Sequence, residues 1–153
     1  MLYLVPTPIG NLSDITKRAL KVLSEVDFVA AEDTRNTGLL LSRCGISKPM
    51  ISYFEHNKRE RGEIIAARLE AGESCALVTD AGTPAISDPG EDLVRLCAER
   101  NIPVTSLPGA CAAVTALTLS GLFTGRFAFE GFLSTAKSER RRILTELASE
   151  KRT

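Results

Sequence analysis

The sequence predicts an α/β fold: a mostly parallel five-stranded sheet with helices on both faces. Two observations predict it. Short apolar runs alternate with longer amphipathic stretches as far as Leu119, which is how strands return through helices and become covered on both sides. The segments that directly follow the apolar runs hold much of the chain's Gly, Pro, Asp and Thr, and its single His. In such sheets ligands bind beyond the carboxyl ends of the strands.

The elements follow in order. Leu2–Pro6 is an apolar run closed by proline, a buried strand. Ser13 or Asp14 can cap a helix whose apolar face is Ile15, Ala19, Leu20, Val22, Leu23 and Val26. Phe28–Ala31 is a second strand. Thr37–Cys44 reads as a helix stopped by Gly45, and Met50–Phe54 as a third strand. Arg59–Ala71 is a helix with Ile64, Ile65, Arg68 and Leu69 at helical spacing, ended by Gly72. Ser74–Thr79 is a fourth strand, and Gly90–Arg100 a helix with Leu93, Val94, Leu96 and Cys97 inward. Val104–Leu107 is a fifth strand, and Ala110–Leu119 an apolar helix.

The register changes after Leu122. FAFEGFL, Phe127–Leu133, predicts another strand, and Lys137–Glu150 a basic helix with Ile143, Leu144 and Leu147 inward. A strand and a helix do not make a domain. The expected organisation is an N-terminal α/β domain over 1–122 and the start of a truncated second α/β domain over 123–153. A C-terminal extension packed on the first domain is the alternative.

Composition narrows the function. The chain has 153 residues, 44% hydrophobic and 25% charged, which excludes a disordered chain, a collagen and a disulfide miniprotein. With no Trp and 5% aromatics, it is poorly supplied for stacking single-stranded nucleic acid. Nineteen basic and nineteen acidic groups cancel, so bulk electrostatics would not hold a polyanion. The basic excess lies at the C-terminal end, in Lys137, Arg140, Arg141, Arg142, Lys151 and Arg152. Cys44, Cys75, Cys97 and Cys111 form no CxxC, and one His cannot complete a zinc set, so no metal is expected. They read as reduced core cysteines. There is no signal h-region and no apolar run of membrane-spanning length, so a soluble cytoplasmic protein is expected.

Several motifs are missing. No GxxxxGK[ST], no GxGxxG after the first strand and no GxSxG occur. The loops that remain are distinctive. Thr79–Gly90 (TDAGTPAISDPG) combines Gly82 and Gly90 with Pro84 and Pro89, a stiff loop that can present its N–H groups to an adenosine-type or amino-acid-type ligand. An ordinary strand-to-helix loop capped by Ser87 or Asp88 explains the same residues. Thr7–Leu12 suits a stiff wall, and the small residues of Pro108–Ala113 allow either a flat ligand or close helix packing. Glu32-Asp33-Thr34-Arg35 is either a helix cap or a catalytic cluster. His56, between Glu55 and Asn57, is the group whose ordinary titration lies near neutrality.

LVPTPIGNLSDIT, AEDTRNTGLLL, EHN, TDAGTPAISDPG, PGACAAVTALTLSGL and FEGFL, in this order and spacing, resemble the tetrapyrrole-methylase-like (class III) methyltransferases over residues 2–133. Within that family they are most similar to the branch that 2'-O-methylates a cytidine in small-subunit ribosomal RNA. The resemblance implies two α/β domains, S-adenosylmethionine in the cleft between them and a homodimer. This chain then supplies the N-terminal domain of a tetrapyrrole-methylase-like fold. The substrate would be small-subunit ribosomal RNA or the assembled small subunit, with no membrane partner.

The resemblance also assigns residues. The family's first glycine-rich loop falls on Pro8, Ile9 and Gly10. Its Gly-Gly-Asp-Pro cofactor loop falls on Ala81, Gly82, Thr83 and Pro84 after Asp80, with Thr83 in place of the aspartate and an apolar contact at Ile86. Its Pro-Gly-x-Ser/Thr loop falls on Pro108, Gly109, Ala110 and Cys111, followed by Ala112. The acidic position after the second strand falls on Glu32, beside Asp33. A ribose hydroxyl is a poor nucleophile at neutral pH and gains from a general base. His56 is the first candidate for that base and Asp33 or Glu32 the second, while the acidic pair can instead orient Arg35 toward a phosphate. Two other readings remain: a corrin or porphyrin-precursor methyltransferase of the same fold, and a non-catalytic ligand-binding fragment. The AEDTR and EHN segments and the basic tail speak against the former.

Overall fold

In the structure, a computed structural model describing residues 1–153, five short strands align in parallel in the order β3-β2-β4-β1-β5. They are β1 (Leu2–Leu4), β2 (Phe28–Ala31), β3 (Met50–Ser52), β4 (Cys75–Val78) and β5 (Val104–Ser106). Between them run α1 (Lys17–Glu25), α2 (Thr34–Arg43), α3 (Lys58–Glu70) and α4 (Glu91–Glu99). The register sets Leu2 beside Cys75 and Val104, and Phe28 beside Cys75. The sequence-predicted fold is the one observed.

Strand side chains alternate between two layers. Leu2, Leu4, Phe28, Ala30, Cys75 and Leu77 join Ile65, Ala66 and Leu69 of α3 and Leu93 and Cys97 of α4. Val5, Val29, Ala31, Ala76 and Val78 join Ala19, Val22 and Leu23 of α1 and Leu41 of α2. Burial on both faces is why β2 and β4 are apolar without interruption. Cys75 and Cys97 lie inside the first layer, and burial pushes the Cys75 thiol up to about 12. No disulfide forms. No helix is long and apolar enough to cross a membrane.

Several local expectations change. Neither Ser13 nor Asp14 caps α1, because both sit in a 3-10 turn over Leu12–Asp14. The cap is Thr16, whose Oγ1 accepts from the Ala19 N–H at 3.0 Å. Helix α2 starts earlier than expected, at Thr34. Helix α4 is preceded by Gly90 rather than capped by Ser87 or Asp88. On α3, Ile64 is 39% exposed and the buried face is Gly62, Ile65, Ala66 and Leu69. The Arg68 guanidinium lies 3.6 Å from the centroid of the Phe28 ring and pairs with Glu73, so its inward position is a cation–π contact.

The chain divides into two compact units, Met1–Cys111 and Ala112–Thr153. The second unit contains α5 (Ala112–Leu119) and α6 (Lys137–Leu147). Phe127–Leu133 is not a strand. It finds no partner ladder, and Gly131, at φ 68°, turns the chain inside the run. Its backbone contacts are with the chain end: Ala128 N–H donates to the Thr153 carbonyl at 2.7 Å, and Thr153 N–H to that of Arg126 at 3.2 Å. Phe127, Phe129, Phe132 and Leu133 are all exposed. On α6, Ile143 and Leu147 are half-buried and Leu144 is exposed.

The revised cap can be checked directly. Thr16→Ala should cost about 1 kcal/mol in urea unfolding, the usual value of a lost cap, while Ser13→Ala and Asp14→Ala stay within about 0.5 kcal/mol of the parent.

Candidate functional site at the carboxyl edge of the sheet

From β1 the chain moves past β4 to β2, and from β4 it moves past β1 to β5. The carboxyl ends of β1 and β4 are therefore where the strand order reverses, and the loops leaving them diverge around a crevice. They are tied together at their bases. Thr7 N–H donates to the Gly82 carbonyl at 2.9 Å, and Gly82 N–H returns a bond to the Thr7 carbonyl at 3.0 Å. The buried Thr7 hydroxyl donates to the Thr79 carbonyl at 3.1 Å.

Gly82 is required here. Its φ is 92°, and a Cβ would meet Ile9 Cγ2 at 3.4 Å and the Ala110 carbonyl oxygen at 3.8 Å. The Thr83 hydroxyl donates to that same Ala110 carbonyl at 2.8 Å. The loops after β1, β4 and β5 thus meet around Gly82, with Pro8 and Ile9 half-buried and Gly10, Asp80 and Ala81 exposed. Where the family pattern has an aspartate, Thr83 spends its hydroxyl on joining two loops. Gly109 packs its backbone against Pro6, whose Cβ would lie 2.5 Å from an added Cβ. Ile86 is exposed, and Ala85 and Ser87 hold positive φ angles of 67° and 55°. Non-glycine residues in that region store strain, and such strain gathers at functional loops. Cys111 is half-buried at the end of the first unit, and Ala112 opens α5 in the second.

The acidic cluster comes from the end of β2. Glu32 Oε2 accepts from the Asp80 N–H at 3.3 Å. Burial pushes the Glu32 carboxyl up, helped by the charges of Asp80, Asp88 and Asp33 and opposed by the Asp80 N–H. Burial also raises Asp88. Asp33 behaves oppositely. It caps α2, accepts from the Arg35 N–H at 2.8 Å, and takes a two-pronged contact from the Arg35 guanidinium at 3.1 and 2.7 Å. These bonds hold its carboxyl at about 2. The Arg35 side chain is 88% exposed and fixed by that grip.

Asn36 was missed by sequence reasoning. Its Nδ2 donates to Asp80 Oδ2 at 3.0 Å, linking the first turn of α2 to the β4 loop. Its place in the helix that opens at the acidic cluster was the available signal. His56 is exposed on the turn after β3, with its ring edge-on to Phe54 at a centroid separation of 6.1 Å. Since β3 is the outermost strand on its side, β2 separates it from β4. The structure joins Glu32, Asn36 and Asp80, joins Asp33 to Arg35, and gives His56 no bond to either group.

With this geometry in place, comparison with known proteins is informative. The profile of the family Tetrapyrrole (Corrin/Porphyrin) Methylases matches residues 1–153, and the chain belongs to that family. Among individual proteins it is 56% identical over 153 residues to a Ribosomal RNA small subunit methyltransferase I of Synechocystis sp., covering all of this chain and 55% of the relative. It is 54% identical over the same length to the protein of that name from Haemophilus influenzae, of which it covers 54%. The chain thus spans about half the length of these relatives. A crystal structure of uroporphyrin-III-C-methyltransferase from Thermus thermophilus shares the fold, with a TM-score of 0.59 and 23% identity over 80% of this chain and 52% of that one.

The raised carboxyl of Glu32 has a stability signature. Its value in the fold lies above the ordinary 4.5, so ionisation is disfavoured by folding. The native state loses stability as pH rises from about 4.5 through the raised value. In Glu32→Gln that loss is absent. The Tm difference between variant and parent should grow in the variant's favour between pH 4 and 7, as read by thermal unfolding.

Proposed function

We propose that the chain is the N-terminal part of an S-adenosylmethionine-dependent methyltransferase that acts on a cytidine 2'-hydroxyl of small-subunit ribosomal RNA. The observation that carries this reading is 56% identity across all 153 residues to a Ribosomal RNA small subunit methyltransferase I. The distinctive loops of the carboxyl edge lie inside the matched region. We further propose a cytoplasmic homodimer, with residues 123–153 opening a second domain.

The residues fit the methyl donor. Gly82, at a φ of 92° that side-chain-bearing residues rarely adopt, keeps side chains off the β4 loop, and a Cβ there would sit in contact with Ile9 at 3.4 Å. In this reading Pro8, Ile9 and Gly10 supply one wall, Asp80, Ala81, Gly82, Thr83 and Ile86 a second, and Pro108, Gly109 and Cys111 a third. When bound, S-adenosylmethionine supplies an electrophilic methyl group. The chain's own work is to align the acceptor and take its proton.

Glu32 suits that proton transfer best: burial raises its carboxyl toward neutrality, and it adjoins Asp80. Asp33, held at about 2, is a weak base, and its part is to fix Arg35 for an RNA phosphate. His56 is the second candidate for the base, on a turn beyond an outer strand.

The test uses residues 1–153 and the same residues joined to the C-terminal half of the Synechocystis relative. Small ribosomal subunits, naked ribosomal RNA and a porphyrin precursor are the acceptors. The joined protein should form 2'-O-methylcytidine in RNA, and residues 1–153 alone should bind the cofactor weakly. Glu32→Gln in the joined protein should lower the single-turnover rate by about 10²–10⁴ with cofactor affinity nearly unchanged. A comparable loss in His56→Ala alone moves the base to His56. Methyl transfer to the porphyrin precursor only, or cofactor binding with no transfer, overturns the RNA reading.

A further inference from the structure

On the α2 side of the carboxyl edge lies a small polar pocket of about 220 Å³, lined in part by Asn11, Leu12, Asn36, Leu40, Arg43 and Asp80. It adjoins the methyl-donor walls because Pro8, Gly10 and Asp80 belong to its lining as well. We propose that this pocket receives the acceptor nucleotide, a single pyrimidine nucleotide, with Arg43 taking its phosphate. The proposal rests on the RNA methyltransferase reading.

The size argues for one nucleotide. Sites that enclose a whole drug-sized ligand run about 300–1,000 Å³, so this half-open pocket of about 220 Å³ seats the base and ribose of one nucleotide, leaves the phosphate at its mouth, and takes no tetrapyrrole macrocycle. The lining argues for its chemistry. Arg43, in the last turn of α2, is in no salt bridge, unlike Arg35, whose guanidinium Asp33 occupies. An unpaired guanidinium at the mouth of a polar pocket suits a phosphate.

Two amides complete the recognition. Asn11 accepts from the Ser13 N–H through Oδ1, which leaves its NH₂ to donate. Asn36 donates through Nδ2 to Asp80, which leaves its Oδ1 to accept. One donor and one acceptor, each fixed by its other bond, match the carbonyl and amino groups of cytosine. Leu12 and Leu40 supply apolar surface for the ring. Asp80 lines the pocket and its N–H donates to Glu32 Oε2 at 3.3 Å, which ties the pocket wall to the proposed base.

The test is a titration of the isotope-labelled 153-residue chain with cytidine 5'-monophosphate, followed by amide NMR shifts. Uridine 5'-monophosphate and inorganic phosphate are the comparison probes. The cytidine nucleotide should shift Asn11, Asn36, Leu40 and Arg43, and Arg43→Ala should weaken it about tenfold. Asn11→Ala should weaken the cytidine nucleotide, and a uridine nucleotide, which lacks the amino group that Asn36 Oδ1 would accept from, should bind more weakly than the cytidine nucleotide. Arg61→Ala, on α3 at the opposite face of the sheet, should change nothing. Equal response to phosphate alone, shifts centred elsewhere, or indifference to Arg43→Ala overturns the proposal. Failure of the RNA reading is seen separately, as methylation lost in the joined protein while cytidine nucleotide still binds here.

Discussion

The two backbone bonds between Thr7 and Gly82 hold the candidate site together. They join loops that leave neighbouring strands and then run to opposite faces of the sheet. Without them each loop would follow its own helix. With them, the ends of β1 and β4 act as one rim, and the loop after β5 locks on through Thr83 and Ala110. The geometry asks for a residue at φ 92° with no side chain, which is why glycine stands at position 82. The strain at Ala85 and Ser87 is borne a few residues further on, where the chain must still reach α4.

The electrostatics follow from the same rim. Bringing the end of β2 beside the β4 loop puts Glu32, Asp80 and Asp88 within one partly desolvated region. Two adjacent carboxylates then diverge. Glu32 is raised by burial and near charges, whereas Asp33 is lowered by a helix cap and a guanidinium. Neighbours in sequence thereby differ in acidity, the Glu32 carboxyl raised above its ordinary value and that of Asp33 held at about 2.

The fold was legible because a parallel sheet buried on both faces leaves apolar runs such as Phe28–Ala31 and Cys75–Val78 that little else explains. The β4 loop was legible through its match to a family motif, because Gly82 and Pro84 by themselves suit an ordinary strand-to-helix connection equally well. Other features depended on space rather than sequence. Thr16 displaced Ser13 as the cap because the preceding residues curl into a 3-10 turn. FAFEGFL has the composition of a strand, but a strand exists only with a partner beside it. Strand order, which no local pattern encodes, set Glu32 next to Asp80 and left His56 on an outer turn.

The buried thiol of Cys75 gives the sheet its own reporter. Alkylating reagents attack thiolates, and a thiol raised to about 12 with no exposed surface offers them almost none. Cys75 faces the layer beneath α3 and α4, in register with β1 on one side and β2 on the other. Reagent reaches it when that layer opens, whereas the half-buried Cys44 and Cys111 can react without such an opening. The rate at which Cys75 is labelled therefore counts the openings of the central strand that carries the site.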